Sequence, residues 1–382
     1  MIRVLDLITT PQGASRLLFR RVRDIDADPE FENALACPAD EHFAPAFAAA
    51  GIRFFPLAMD RGMSPLSLAR EIAAFTRILR EYEPDIVHAH TSMAGVVARL
   101  ACAARNALRA KKIIVVYQVH SFYFNAFSGF KRRAFRAAEV FLARFTDLIL
   151  FQNRAELEEA RSLGMGRRAR LVDIGNGVDL AEFPPAAEAR RHPGSGAEFR
   201  LICVARVEPK KNHRMLLEAV RILREELGKP QVRLTCVGEL GDPGIPDEAR
   251  RMRLGEAVAF AGILPRSGLP ALLDGSHVAV LSSFAEGKPR ALMEAMLRGL
   301  PCVATGVTGT EETVAEGEDG FLVPVGDARA MAERIARLMD DPALYERFSA
   351  RALERARLEF DEARVVAALK GLYTTELSRE RT

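Results

Sequence analysis

Along the 382 residues, short apolar, β-branched runs alternate with stretches in which apolar residues recur every three or four positions. The first pattern marks a strand buried on both faces, the second a helix with one face turned inward. The first half carries strand patterns at 2–8, 34–37, 52–56, 85–88, 113–119, 147–151 and 171–174, with helical patterns such as 65–82 and 92–108 between them. Helical stretches of that length serve as crossovers, and crossovers join parallel strands. The second half repeats the theme, with strands near 200–204, 232–237, 258–260, 278–281, 302–304 and 321–323. Between the halves, Phe183 to Gly196 is rich in Pro, Ala, Arg and Gly and reads as a joint. The pattern therefore predicts an α/β chain of two doubly wound domains, 1–183 and 184–362, with a last helix from about 363 to 382.

One stretch, Val278 to Thr305, organises the second half. Val278 to Leu281 is a strand, residues 282–288 are a small polar loop, and Pro289 is placed as a first helical residue. Leu292, Ala295, Met296 and Gly299 follow at helical spacing. Gly299 and Pro301 stop the helix before the next strand, Cys302 to Ala304. In open α/β sheets ligands bind beyond the carboxyl ends of strands, and a helix N-terminus there attracts phosphate. Glu286 lies in this loop and Glu294 in the helix. With Arg290 four residues before and Arg298 four after, Glu294 taken alone reads first as one half of a surface ion pair, worth about 0.2–0.5 kcal/mol; the pattern around it overturns that reading.

Composition narrows the class. Length favours two domains, and a chain that is 49% hydrophobic and 27% charged has a sizeable core available. No apolar run reaches the 18 or so residues needed to span a bilayer, and MIRVLDLITT turns polar too soon for a secretory signal. Five scattered cysteines without CxxC spacing read as reduced core residues of a cytoplasmic protein. The net charge of +3 is uneven: residues 1–185 hold 25 Lys/Arg against 21 Asp/Glu, an excess of +4. That is no nucleic-acid footprint, but it suits a membrane surface or a phosphorylated acceptor. Neither GxGxxG after the first strand nor GxxxxGK[ST] occurs, which argues against a nicotinamide-dependent oxidoreductase and a phosphate-loop NTPase.

The Val278 stretch resembles the signature of the retaining nucleotide-sugar glycosyltransferases of family 4. The match runs Glu286-Gly287-x-Pro289-x-x-Leu292-x-Glu294-Ala295-Met296, then Gly299-x-Pro301, Gly309, Glu312 and Asp319-Gly320-Phe321-Leu322-Val323-Pro324-Val325-Gly326-Asp327. Arg206 follows a strand, and Lys211, five residues later, is expected where the next helix begins; the two are similar to the family's pair for the donor diphosphate. The resemblance implies the GT-B fold: two Rossmann-like domains facing across a cleft, the first for the acceptor, the second for the donor, the last helix crossing back onto the first. It implies catalytic roles for Glu286, His120, Arg206 and Lys211. It implies donor contacts from Gly13, Gly262, Ile263, Leu264, Gly287, Lys288, Pro289, Arg290, Ala291, Leu292 and Glu294, besides Arg206, Lys211 and Glu286. Glu286 would bond sugar hydroxyls and Glu294 the ribose. No cofactor or metal is implied, since cations and a helix N-terminus replace Mg²⁺ at the leaving diphosphate.

Other segments leave alternatives open. Thr9-Thr10-Pro11-Gln12-Gly13 is a glycine loop, a turn or a donor contact; Gln12 stands where the family usually has a second glycine. His88-Ala89-His90 offers two imidazoles on one strand face, but no third metal ligand is signalled, and His90 reads as ordering a loop or lining a cleft, there as an acceptor contact. His120 ends the strongest strand of the first half; it reads either as a strand-end imidazole bonded to a nearby carbonyl or, as the resemblance implies, as orienting the donor sugar. Ser121 follows it where the family has Gly. Phe122, Tyr123, Phe124, Phe127, Phe130 and Phe135 are interleaved with Lys131, Arg132, Arg133 and Arg136. Either the rings pack the core, or the segment lines acceptor access and touches anionic lipid, with Phe122 and Tyr123 as acceptor contacts. Lys288, at a position the family usually fills with an apolar residue, is either solvated or meets an anionic group. Asp24-Ile25-Asp26 looks like the DxD metal motif of another transferase fold, but it lies in a charged surface stretch.

The expected function is transfer of a sugar from a nucleotide-diphosphate donor, UDP-linked by preference, to a glycan acceptor. That acceptor is expected to be lipid-linked and the product a surface polysaccharide, made at the cytoplasmic side of the membrane. An epimerase of the same fold and a non-catalytic nucleotide-sugar-binding protein are the alternatives.

Overall fold

Every predicted strand forms, and every strand pairs parallel to its neighbours. The computed structural model describes residues 1–14, 18–39, 44–60 and 64–381. The first sheet holds β1 (Ile2–Ile8), β2 (Phe31–Cys37), β3 (Arg53–Pro56), β4 (Ile86–His90), β5 (Ile114–Gln118), β6 (Leu148–Phe151) and β7 (Arg170–Asp173). Its order is β3-β2-β1-β4-β5-β6-β7. The second holds β8 (Phe199–Val204), β9 (Val232–Val237), β10 (Val258–Gly262), β11 (Val278–Leu281), β12 (Cys302–Thr305) and β13 (Gly320–Val323), ordered β10-β9-β8-β11-β12-β13. In both sheets the chain runs outward from the first strand, then returns to build the other side. The direction reverses between β1 and β4, and between β8 and β11, which are the points where an open α/β sheet receives ligands.

The longer helices are α1 (Phe19–Asp26), α2 (Pro65–Tyr82), α3 (Ser92–Asn106), α4 (Gly129–Leu142), α5 (Arg154–Ser162), α6 (His213–Arg221), α7 (Arg290–Leu297), α8 (Ala328–Asp340), α9 (Pro342–Glu359) and α10 (Glu362–Arg381). α2 starts on Pro65, whose missing N–H costs nothing there, and ends at Glu83 in a left-handed conformation. α5 is capped by Asn153, whose side chain accepts from the Glu156 N–H. α7 ends before Gly299, whose φ of +72° breaks the helical path.

Contacts divide the chain into one unit of Met1–Gly175 with Arg364–Thr382 and a second of Asn176–Ala363. The junction anticipated after residue 183 thus lies inside the second unit. Val178 and Phe183 are fully buried in that unit's core. Arg190, in the stretch read as a joint, bonds the Ser349 hydroxyl, the Arg298 carbonyl and Asp274. In the first unit, α10 lays Val365, Val366, Leu369, Tyr373 and Leu377 against Val4, Ile86, Ile114, Val116 and Leu148. Each such apolar side chain contributes about 1.5–3 kcal/mol when fully buried. All five cysteines are buried and unpaired.

Two local expectations shift. Pro289 is the residue before α7, extended at φ −74° and ψ 102°, so the helix begins at Arg290. Lys211 closes a three-residue 3-10 turn, Pro209–Lys211. Asn212, at φ +49°, separates that turn from α6, so Lys211 is not in the first turn of a helix. Asp24 and Asp26 lie on α1; Asp24 is bonded to Arg20, and Asp26 accepts the Asn33 N–H, which places both in structural contacts.

Candidate active site

Each unit gathers polar residues where its sheet reverses direction. In the second unit, the loops after β8 and β11 are stitched together. The Ser282 hydroxyl donates to the Lys211 carbonyl (2.8 Å), and the Phe284 N–H donates to the Lys210 carbonyl (2.9 Å). This brings the Lys211 ammonium to Glu286 Oε1 at 2.6 Å, and the same oxygen accepts from Ser283. The pair is mostly buried, with side-chain exposures of 20% and 9%. A low-dielectric pair with a third partner keeps one geometry. Arg206 stands apart, 59% exposed and 3.1 Å from Glu208. Of the four residues expected around the donor's charged groups, the fold thus joins Lys211 to Glu286 directly.

Glu294 is 4% exposed. Its partner is Arg266, 28 residues earlier, at 3.0 Å. Arg266 also holds Glu182 at 2.6 Å and lies over the Phe183 ring. Burial raises the Glu294 carboxyl above its ordinary range, while Arg266 and Arg290 pull it down. Arg290 faces Glu362 at 3.6 Å, and Arg298 faces Asp274 at 2.6 Å. Leu292, expected among the donor contacts, is a core residue, and its N–H bonds the Pro289 carbonyl at 3.1 Å. That donor is already used. Ala291 and Lys288 are half-buried, and the Lys288 carbonyl accepts from Asn176. Gly287 is pressed by Gly309, where a Cβ would lie 1.6 Å from the Gly287 oxygen. Gly262 ends β10 at φ +67°, Ile263 is 63% exposed and Leu264 packs partly on the core.

Two histidines of this unit set a pH limit. Burial pushes His213 down to about 4, helped by Lys211, and burial pushes His277 down to about 4, helped by Arg200. Both stay neutral when folded, whereas the unfolded chain takes up protons near the ordinary 6.5. The unfolded state therefore binds more protons between pH 6.5 and 4, and stability falls as pH drops through that window. The urea midpoint is expected to be lower at pH 5 than at pH 7. The double variant His213→Asn/His277→Asn should flatten the slope. A wild-type midpoint constant across this range would refute the linkage.

In the first unit, β1, β4 and β5 end in a buried polar group. His90 Nε2 lies 2.7 Å from Asp6 Oδ1, and His88 Nδ1 lies 2.6 Å from the Tyr373 hydroxyl of α10. Arg21 of α1 donates to Gln118 at 2.9 Å. Burial holds both His88 and His90 well below their ordinary value, with further lowering from neighbouring histidines and Arg21. Burial raises Asp6. His90, expected to order a loop or line a cleft, is sealed in this group at 0% exposure. Asp6 is the third ligand that the sequence did not signal, and Asp6, His88 and His90 could together hold a metal ion. Against that, Asp6 and His90 already bond each other, His88 bonds Tyr373, and the Arg21 charge acts on all three. A dication would have to overcome that field.

His120 follows β5 and is held by Gln152, whose Nε2 lies 3.0 Å from Nδ1. Burial, helped by Arg21, lowers His120 to about 4. The next residues are clamped by Glu156, which accepts the Phe122 N–H at 3.1 Å. Phe122 is corrected from acceptor contact to core residue: 1% exposed, it stacks on Phe124 at 4.6 Å. Tyr123 is 47% exposed and packs its edge on Phe127 and Phe135. Gly13 follows β1, and its N–H donates to the Thr10 hydroxyl, which caps that turn, at 3.1 Å. The sequence reading missed Ser283, Arg266, Asp6, Gln152 and Glu156. Only Glu156 had a local signal, the Asn153-x-x-Glu156 capping pattern.

The comparisons with known proteins bear on the family and the fold. Residues 187–355 match the family profile described as glycosyl transferases group 1, and residues 27–177 match the glycosyl transferase 4-like domain. EpsD of Bacillus subtilis (strain 168), which carries the name of a glycosyltransferase, is 30% identical over 314 residues, 80% of each chain. A UDP-Gal:alpha-D-GlcNAc-diphosphoundecaprenol alpha-1,3-galactosyltransferase of Escherichia coli is 28% identical over 302 residues, 76% of each. Among solved structures, Anabaena HepE in complex with UDP and glucose has a TM-score of 0.79 at 22% identity, over 98% of this chain and all of that one.

Proposed function

The chain belongs to the group 1 glycosyltransferases, with two parallel-sheet Rossmann-like units of the GT-B kind, and on that premise we propose its reaction. It moves a sugar, with retention of anomeric configuration, from a UDP-linked donor to a hydroxyl of a lipid-linked glycan during surface polysaccharide assembly. The anomeric C1–O bond to the diphosphate breaks, a C1–O bond to the acceptor forms, and the acceptor proton leaves with the diphosphate. The observation that carries this reading is the Lys211–Glu286–Ser283 contact where the second sheet reverses direction. A carboxylate held there can bond sugar hydroxyls, and a cation beside it can stabilise the charge that grows on the leaving diphosphate. Arg206, exposed, remains available to the same phosphates. Glu294, buried and paired with Arg266, takes a ribose hydroxyl in this reading. His120 orients the sugar. The similarity to a galactosyltransferase whose name specifies UDP-Gal and a diphosphoundecaprenol acceptor supports both the donor and the acceptor class.

The test is a screen of nucleotide sugars against polyprenyl-diphosphate-linked acceptors, with product anomers assigned by NMR. Nucleotide release that requires acceptor, persists in EDTA and gives an axial donor's configuration in the product is the expected result. Inversion, loss of rate in EDTA, or donor turnover without acceptor would each overturn the corresponding part.

A membrane surface supplies the acceptor in this reading. Among the described residues no helix is long and apolar enough to cross a membrane. The α4 segment instead divides its aromatics: Phe122 and Phe124 are core, whereas Phe130 is 85% exposed and Phe141 51%. Lys131, Arg132, Arg133 and Arg136 are all exposed. α4 is anchored from beneath by Glu139, which pairs with the buried Arg99 at 2.9 Å and accepts from Tyr117. Basic side chains near an anionic leaflet contribute about 1 kcal/mol each. Replacing all four by Gln is expected to weaken binding to phosphatidylglycerol vesicles by about 10³-fold. Unchanged binding would remove the cytoplasmic-leaflet contact from the proposal.

A further inference from the structure

The group around His120 contains a residue whose position decides what that imidazole can do. Gln152 follows β6 directly and precedes Asn153, the cap of α5. The backbone on either side is pinned: the Val119 N–H bonds the Leu150 carbonyl, and the Ile174 N–H bonds that of Phe151, both at 2.9 Å. Gln152 is itself 4% exposed. Its side chain therefore has little freedom, and its Nε2 meets His120 Nδ1 at 3.0 Å.

An amide nitrogen can only donate. The ring nitrogen it meets must then be unprotonated, and a neutral imidazole carries its single proton on the other nitrogen. His120 Nε2 has no hydrogen-bond partner among the described residues. We propose that Gln152 is the positioning residue that fixes His120 as the Nε2–H tautomer, presenting one N–H donor for an oxygen of the donor sugar. The inference rests on the reading of His120 as a sugar contact. It adds a chemical consequence: a ring in this tautomer donates to a hydroxyl oxygen at Nε2 and cannot take a proton there. With the amide turned the other way, Oε1 would accept from Nδ1–H and Nε2 would become a base.

Neutrality has its own support. Burial and the Arg21 guanidinium keep His120 at about 4, so near pH 7 the ring carries one proton. The His90 ring, 5.7 Å away, is likewise held neutral. Glu156 is occupied with the Phe122 N–H and the Asn153 amide. No carboxylate among these is in hydrogen-bond contact with the His120 ring.

The experiment is long-range ¹H–¹⁵N NMR of the full chain labelled at its 7 histidines, with the His120 signals assigned by their loss in His120→Asn. The wild type should show His120 protonated at Nε2. In Gln152→Glu, a carboxylate accepts from Nδ1–H, so the tautomer should switch and the protonation midpoint should rise. Transfer kcat should fall about 10–100-fold, the usual range for a lost orienting partner, with a shifted pH profile. Gln152→Met, which keeps the packing, should give a mixed tautomer and an intermediate rate, and circular dichroism melting checks that each variant folds. A wild-type ring protonated at Nδ1, or an unchanged tautomer in Gln152→Glu, overturns the proposal. If the tautomers behave as stated while His120→Ala and Gln152→Glu retain full activity, the assignment to Gln152 stands and the sugar-contact reading of His120 is what fails.

Discussion

Lys211→Ala is expected to reduce turnover by about 10²–10³-fold, the cost of losing one preorganised group at a site of developing charge. Two effects combine. In the proposed reaction the leaving diphosphate loses a cation, and Glu286, 9% exposed, loses the ammonium 2.6 Å away and keeps the Ser283 hydroxyl. An unpaired carboxylate in a mostly buried position costs about 1–3 kcal/mol of stability. The urea midpoint should therefore fall too, and rates must be compared where every variant is folded. Because Lys211 and Glu286 act as one unit, Lys211→Ala/Glu286→Gln should be no slower than about tenfold below the worse single variant. Kinetics that stay normal in Lys211→Ala, or fall only as the folded fraction falls, would remove Lys211 from the chemistry. Arg206→Ala, lacking a buried partner, should lose turnover on a similar scale with little change in stability.

Gly309→Ala is the second large effect. A Cβ there would lie 1.6 Å from the Gly287 oxygen, 2.3 Å from its carbonyl carbon and 2.9 Å from the Lys288 nitrogen. All three are backbone atoms, so no side chain can swing aside and the loop holding Glu286 must move. Overpacking of this kind costs about 3 kcal/mol. The displaced loop should also weaken donor binding by tenfold or more, since positioning errors near 1 Å are costly at a reacting centre. Gly255→Ala is the control: nothing lies within 4 Å of its added Cβ, and it should melt like the wild type. A Gly309→Ala protein with wild-type stability and donor affinity would mean that the two loops do not touch as described.

The strands were legible because each is a short apolar run bounded by turn residues, and a parallel sheet covered on both faces needs that composition. The Glu286 loop and its helix were legible for the same local reason. Contacts that the sheets create from distant residues were not. Arg266 reaches Glu294 across 28 positions, and Asp6 reaches His90 across 84. No window of sequence contains both partners. The Pro- and Arg-rich stretch misled for a related reason, since composition alone could not show that Arg190 would tie it down by four hydrogen bonds. Pro289 and Lys211 were displaced by one residue and by one element, the usual uncertainty where a cap replaces a helical turn.

The packing of α10 on the first sheet has a consequence for biosynthesis. Val4, Ile86, Ile114 and Val116 are made before the second unit, yet the face they form is covered by residues 365–377, which are made after it. Domains commonly mature in the order of translation. Here the earlier-made half must wait, its strands exposed to chaperones, while the later-made half has every residue it needs first. Chains truncated after residue 363 and released from the ribosome should be protease-resistant in the second unit and still open in the first.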